Sequence, residues 1–351
     1  MRTGQLPVVS IVVPVKDEGR YIEQLMESIA AQDYARSLIE VIVVDDGSTD
    51  HTAELAGHYA TFDWSSFQVV KNRGQGTAAA RNTGIAIAKG DVIMQLIGHC
   101  ELAPDFVSTS VATLQDRGVE CAGGVIDTIG EGLVGGAIAT ALSSPFGVGN
   151  AAFRTGGREG LVDTVAFGAY RGEVFEKIGR FDEGAEAGED DDLNLRLLDA
   201  GGSIYLNPEI RSRYYSRATL DGVLRQYFAY GQAKVAVLAA HPRQVRPRQL
   251  APAALVAGLG LGLGAGLLTG KWRPFRALLR TYGSFLGIGA MGMALRRPAV
   301  GPLLPGIMAG IHLAYGAGFW AGVARLMRAG SLPSGREAVE AATRTLQHQE
   351  R

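Results

Sequence analysis

Two runs of acidic residues set what this chain can do chemically. The first closes an apolar stretch, Glu40-Val41-Ile42-Val43-Val44-Asp45-Asp46-Gly47-Ser48-Thr49-Asp50. The second is Gly188-Glu189-Asp190-Asp191-Asp192-Leu193-Asn194. The stretch before Asp45 is β-branched and unbroken, which predicts a strand buried on both faces of a parallel sheet. Ligands of open α/β sheets bind just beyond the carboxyl ends of such strands. Carboxylates placed there repel phosphate, but they accept from a ribose hydroxyl or a base N–H, or ligate a metal ion. Asp also favours turns, so a purely capping role competes for either acid. The pair beside Ser48 favours a nucleotide site. In the second run, Leu193, Leu197 and Leu198 have helical spacing, which puts the acids at a helix N-terminus. The macrodipole there stabilises each by about 0.3–1 kcal/mol. Four consecutive acids exceed what capping needs, and like-charge crowding raises a carboxyl pKa. That makes the cluster a candidate general base.

The elements that position these acids alternate strand and helix. Val8–Val13 predicts a first strand, ended by Pro14, with Val15-Lys16-Asp17-Glu18-Gly19-Arg20 as its loop. Tyr21, Leu25 and Ile29 share one face of the next helix. Ile39–Val44, Phe67–Val70 and Asp91–Leu96 predict further strands, with helices over Thr52–Tyr59 and Thr77–Ala88. Such alternation predicts a mostly parallel sheet with helices on both faces. Gly74-Gln75-Gly76-Thr77-Ala78-Ala79 matches a dinucleotide-binding turn, but that fingerprint belongs after the first strand rather than the third. From Ala122 to Thr164 the pattern dissolves into Gly-rich sequence, read as a long irregular segment that includes Ser144–Asn150. A helix through Ile178 precedes the second acidic run, and Leu224–Lys234 predicts an aromatic amphipathic helix.

The 351 residues suit one or two domains, and the net charge of −1 gives no basic field for nucleic acid. Cys100 and Cys121 lack the spacing of a disulfide framework or zinc site. Mean hydropathy is +0.10 and the excess is uneven. Leu250–Leu268 is nineteen residues without charge, enough to span a hydrocarbon layer of about 30 Å. Leu278–Leu295 and Ala299–Val323 are two further candidates, rich in the Gly and Ala that suit packing in lipid. Arginine or lysine flanks nearly every junction, so the positive-inside rule fixes no topology; the segment is multi-pass or re-entrant. Met1–Pro7 is too short and polar for a signal peptide, which keeps the N-terminal part cytoplasmic. The boundaries read as 1–240 for the α/β domain, 241–328 for membrane helices and 329–351 for a polar tail.

With these residues assembled, the chain resembles the family 2 glycosyltransferases, inverting enzymes of GT-A fold. Val9–Glu18 is similar to the family's first strand and Pro-x-x-Asn-Glu loop, with Asp17 in place of Asn. Glu40–Asp50 is similar to its nucleotide-binding strand. Asn72, Gly76, Ala80, Arg81, Asn82 and Gly84 resemble its Asn-x-Gly…Ala-Arg-Asn-x-Gly helix, and Glu189-Asp190 its Glu-Asp motif. Ser144–Asn150, Phe167–Arg171, Gln226–Gly231 and His312–Gly316 resemble the succinoglycan-type exopolysaccharide transferases in particular. The resemblance implies Asp190 as catalytic base. It implies a nucleotide-sugar site from Pro14, Val15, Glu18, Asp45, Asp46, Ser48, Asn72, Gly76 and Arg81, and an acceptor side from Glu189, Gln226 and Tyr230. A plasma-membrane enzyme acting on a polyprenyl-linked acceptor follows. The family's metal motif, Asp-x-Asp or Asp-x-His, reads Ile97-Gly98-His99 here. That leaves His99 to hold Mn²⁺ or Mg²⁺. Processive relatives carry Gln-x-x-Arg-Trp, whereas Gln226 is followed by Ala229-Tyr230, against polymer synthesis. Three rivals stand beside this reading: a pseudoenzyme, on Ile97; a transferase onto polyprenyl phosphate; and a dehydrogenase, on Gly74–Ala79 alone.

Overall fold

The computed structural model describes residues 6–184 and 187–329. The expected polar tail lies outside them, except for Ala329 at the end of the last helix. In chain order the elements begin β1 (Val9–Val15), α1 (Ile22–Ala30), β2 (Ile39–Asp45), α2 (Thr52–Gly57), β3 (Ser66–Lys71), α3 (Gly76–Ile87) and β4 (Val92–Gln95). Next come β5 (Cys100–Leu102), α4 (Phe106–Arg117), β6 (Cys121–Ile129), α5 (Gly132–Leu142), α6 (Pro145–Val148) and α7 (Ala152–Thr155). Then follow β7 (Gly160–Leu161), β8 (Ala166–Arg171), α8 (Glu173–Ile178), α9 (Glu189–Asp199) and β9 (Ile204–Tyr215). The chain closes with α10 (Leu220–Ala240), α11 (Pro247–Thr269), α12 (Arg273–Ala294) and α13 (Leu304–Ala329). Two compact units result: residues 1–127 with 152–215, and 128–151 with 216–351. The sequence boundary at 240 thus differs from the compact units, because α10 packs with the later helices.

In the first unit the sheet runs β3-β2-β1-β4-β8-β6-β9-β5, with β7 on β9. It is mixed rather than mostly parallel. β3, β2, β1 and β4 are parallel, whereas β8 runs antiparallel to both β4 and β6, and β5 and β7 run antiparallel to β9. The physical difference is burial. β1 is buried at every residue, whereas β9 mixes buried and part-exposed positions. Side chains of β1 alternate between two cores. Val9, Ile11 and Val13 pack with Ile22, Leu25 and Ile29 of α1. Val12 packs with Ala80 of α3, Tyr170 of β8 and Leu193 and Leu197 of α9. Cys100 and Cys121 are buried and unpaired with each other.

The segment expected to be irregular, 122–164, is largely ordered as β6, α5, α6, α7 and β7. Its glycines serve close approach, not looseness: a Cβ on Gly124 would overlap the backbone carbonyl of Ile210 in β9. In the second unit, α5, α10, α12 and α13 enclose a core of Ile138, Leu142, Val223, Leu286, Leu304, Met308 and Ile311. α10 and α13 touch backbone to backbone, since a Cβ on Gly231 would overlap Tyr315 and one on Gly318 would overlap Phe228. Two helical stretches, Pro247–Thr269 and Pro298–Arg328, are long and apolar enough to cross a membrane. The expected middle span, 278–295, is not among them. α12 starts at Arg273 and also carries Arg276 and Arg280. Between residues 222 and 329 the chain has thirteen Lys and Arg and no Asp or Glu.

Candidate active site

The sheet order reverses direction between β1 and β4, the place where open α/β sheets form a crevice. Pro14 lies two residues past the last β1–β4 pair, Val12 with Gln95, so its missing N–H breaks no ladder bond with β4. Val15 pairs with Asp45 at the same edge. The loops after β1 and β2 are latched together. Asp17 N–H donates to Ser48 Oγ at 3.0 Å, and the Asp17 carboxylate accepts from Thr49 N–H at 2.7 Å. Gly19 N–H donates to Asp50 Oδ2 at 2.9 Å, and Glu18 N–H to Thr52 Oγ1 at 2.8 Å. Asp17 has φ 53°, a left-handed conformation that Asp tolerates better than most residues.

Asp45 and Asp46 both hold turns. Asp45 Oδ1 accepts from Ser48 N–H at 3.0 Å and Ser48 Oγ at 2.5 Å, while Oδ2 has no hydrogen-bond partner among the described residues. Asp46 accepts from Asn72 Nδ2 at 2.6 Å and from Gly76 N–H at 3.1 Å, with Lys16 Nζ 3.7 Å away. Gly76 N–H, at the start of α3, therefore meets a carboxylate of this chain. The capping role that the sequence set against a ligand role is thus present for both acids. Asp45 alone keeps an oxygen to offer.

Across the β1/β4 gap, His99 Nδ1 lies 2.6 Å from Glu18 Oε1. Gly98 makes room for this pair, because a Cβ there would fall 2.9 Å from Glu18 Cβ. Ile97 packs on the core. No three of His, Cys, Asp and Glu converge as a cation site among the described residues. Asp46 is engaged by Asn72, Gly76 and Lys16 instead of turning toward His99. A carboxylate on one imidazole nitrogen orients the ring and raises the basicity of the other, the pairing found behind metal-bound histidines. These residues fit a cation only as one that also takes ligands from elsewhere.

The second acidic run begins α9, as its spacing predicts. Asp190 is exposed; its Oδ1 accepts from Asp191 N–H at 2.9 Å, and Oδ2 has no hydrogen-bond partner among the described residues. Glu189 faces Arg81, 3.8 Å from Nη2, with both side chains largely buried. Arg81 also lies over the Phe181 ring at 5.0 Å. Arg81 is therefore held inside the protein, between the Glu189 carboxylate and the Phe181 ring.

Two tethers of α9 and its approach were not read from sequence, although Asn82 was noted as part of the helix motif. Asn82 closes a two-way bond with Phe181, and Arg196 reaches Asp192 and the carbonyls of Ile178 and Arg180 at 2.6–2.8 Å. Their signal was only spacing, Asn beside Arg81 and Arg196 four residues after Asp192. Gln226 and Tyr230 belong to α10 in the second unit, where Gln226 Nε2 donates to Tyr230 Oη at 2.8 Å.

A half-parallel sheet with acids at its carboxyl edge and an acid-headed helix beyond it defines a nucleotide-sugar-transferase type of fold. Residues 10–179 match the family model described as Glycosyl transferase family 2. Those residues form a family 2 glycosyltransferase domain. Over 313 residues it is 29% identical to the succinoglycan biosynthesis protein ExoA of Rhizobium meliloti, covering 88% of this chain and 93% of that protein. It is 27% identical over 234 residues to a dolichyl N-acetylglucosaminyl phosphate diacetamido-dideoxy-glucuronosyltransferase of Methanococcus voltae, covering 64% and 72% respectively. In fold it is similar to a mannosyltransferase of Pyrobaculum calidifontis solved with GDP-Man and Mn²⁺, at a TM-score of 0.57 and 20% identity over 91% of this chain and 88% of that one. The fold is GT-A-like.

Proposed function

We propose that this enzyme transfers a sugar, with inversion, from a nucleotide-sugar, preferentially a UDP-sugar, to a polyprenyl-diphosphate-linked saccharide in exopolysaccharide or cell-envelope glycan synthesis. The observation that carries it is Asp190: exposed, at the head of α9, with Oδ2 unengaged and its neighbour Glu189 matched by Arg81. Asp190 takes the proton of an acceptor hydroxyl, and that oxygen attacks the anomeric carbon. The bond from this carbon to the donor diphosphate breaks, and the nucleoside diphosphate leaves. One base suffices for a single displacement, unlike the two carboxylates of a glycosidase.

Pro14, Val15, Glu18, Asp45 and Ser48 line the donor edge, with Asp45 Oδ2 for a ribose or base donor. Asp46, Asn72 and Gly76 shape that edge from behind. His99 would hold Mn²⁺ or Mg²⁺ jointly with donor diphosphate oxygens, and such a cation offsets charge on a leaving diphosphate. Gln226 and Tyr230 are proposed for the acceptor. The lipid acceptor rests on two observations. ExoA is named for succinoglycan biosynthesis, and the Methanococcus voltae relative for a dolichyl-linked sugar phosphate. The cation-only helices and two candidate spans also suit the cytoplasmic face of an anionic bilayer.

The test is transfer from labelled UDP- and GDP-sugars to lipid extracts, by full-length enzyme in detergent. Labelled lipid with stoichiometric nucleoside diphosphate supports the proposal. Sugar reaching bare polyprenyl phosphate moves the assignment to the lipid-phosphate transferases. Tight nucleotide binding without transfer from any donor would mark a pseudoenzyme.

A further inference from the structure

Behind the start of α9 lies a buried polar triangle that the reaction above does not use. Tyr170 on β8 is 3% exposed and Asn194 on α9 is fully buried. The Tyr170 hydroxyl donates to Asn194 Oδ1 at 2.8 Å, and Asn194 Nδ2 donates to Thr164 Oγ1 at 3.0 Å. Asn194 stands four residues after Asp190, on the same face one turn along the helix. The Tyr170–Asn194 bond is buried in the apolar core that also holds Leu193 and Leu197, where an unmade bond costs more than a made one returns, and the bond to Thr164 is half-buried at its margin. Apolar contacts alone leave a helix free to slide or roll slightly on a sheet. Two directed bonds from one buried side chain fix both motions.

We infer that Tyr170 is a positioning residue for the sugar transfer, locking α9 through Asn194 and Thr164 so that Asp190 stands at its working place. This rests on Asp190 being the base. Burial pushes the Tyr170 hydroxyl well above its usual 10, and the Asp190 carboxylate pushes it the same way while Arg81 opposes it. The hydroxyl therefore stays protonated and remains a donor throughout the neutral range. Tyr170 itself touches no substrate; β8 pairs it with Ile93 in the middle of the sheet.

The experiment is a double-mutant cycle on the full-length enzyme in detergent. Tyr170→Phe is expected to lower kcat between about tenfold and 10²-fold, the cost of a misplaced catalytic group. The donor KM and nucleotide affinity should stay within about twofold. On an Asp190→Asn background the same change should lower kcat no further. Thr164→Val should act in the same direction but less, and Thr164→Ser should restore the wild-type rate. An unchanged kcat in Tyr170→Phe, or an equal loss on both backgrounds, overturns the inference. Should Tyr170→Phe fail to fold, Thr164→Val with its Ser rescue gives the same decision. Wild-type turnover in Asp190→Asn alone would instead remove the base assignment, a distinct outcome.

Discussion

Asp190 offers one unengaged oxygen at the surface, which is what a proton acceptor needs. Asp190→Asn keeps the size and the bond to Asp191 but removes the basic oxygen. Turnover should fall by about 10²–10⁴ while donor affinity stays within a few-fold, read by single-turnover transfer beside nucleotide titration. His99 should matter to metal binding rather than to folding. Wild-type enzyme should bind Mn²⁺ detectably only with nucleoside diphosphate present, and His99→Ala should lose that nucleotide-dependent binding. Equal Mn²⁺ binding with and without nucleotide would contradict a shared site. Gln95 is a different case: it is 4% exposed at the end of β4 and neither amide atom has a hydrogen-bond partner among the described residues. Gln95→Met keeps the bulk and drops the unpaired amide, so it should raise the thermal midpoint, with about 1–3 kcal/mol at stake. A lower midpoint would show that the amide is satisfied in solution. At this scale type and spacing marked the acidic cluster around Asp190, while Glu18, His99 and the base role of Asp190 came from the family resemblance. The sequence did not resolve which acids hold turns. Asp45 with Ser48 three residues on, and Asp46 with Gly76 thirty residues away, look equally ligand-like until the loops are placed.

The loops after β1 and β2 act as one element because five side-chain hydrogen bonds cross between them. Asp50 contributes most visibly. The bond from the Thr52 hydroxyl lowers its pKa below the ordinary 3.8, and backbone donors from Gly19 and Thr52 add to this. A depressed carboxyl contributes stability that is complete above its unfolded value and lost as pH falls through the folded one. The latch should therefore hold unchanged from neutral pH down to about 4 and loosen only below that. Asp50→Asn should be less stable than wild type at pH 7, and the gap should close as pH drops beneath 3.8. Denaturation midpoints against pH check this; a gap independent of pH would mean the carboxylate charge is irrelevant. Strands β1 to β4 were legible because each is an apolar run, and the first three meet a loop and then a helix. β5 to β9 were missed because their burial is partial and their glycines serve backbone contacts with strands far away in sequence, as Gly124 does against Ile210. α9 was legible from its leucines alone.

The whole chain does not divide where its composition changes. α10 and α5 share a core with α12 and α13, so a chain ending at residue 245 keeps every strand but loses Leu286, Leu304, Met308 and Ile311 from that core. Such a chain is expected to need detergent and to melt in two steps, the later one shifted by nucleotide. A single soluble transition like that of the intact enzyme would show that the helical unit adds nothing to folding. The same unit has a consequence for handling. The chain totals 34 basic and 35 acidic residues, and thirteen of the basic ones lie in the acid-free run 222–329, leaving 21 against 35 elsewhere. A near-neutral sum thus hides two oppositely charged halves. Purified in neutral detergent at low salt, the enzyme should be retained by both cation and anion exchangers near its isoelectric point of about 6.6. It should also form head-to-tail aggregates that dissolve as added salt shortens the Debye length from about 30 Å to about 8 Å.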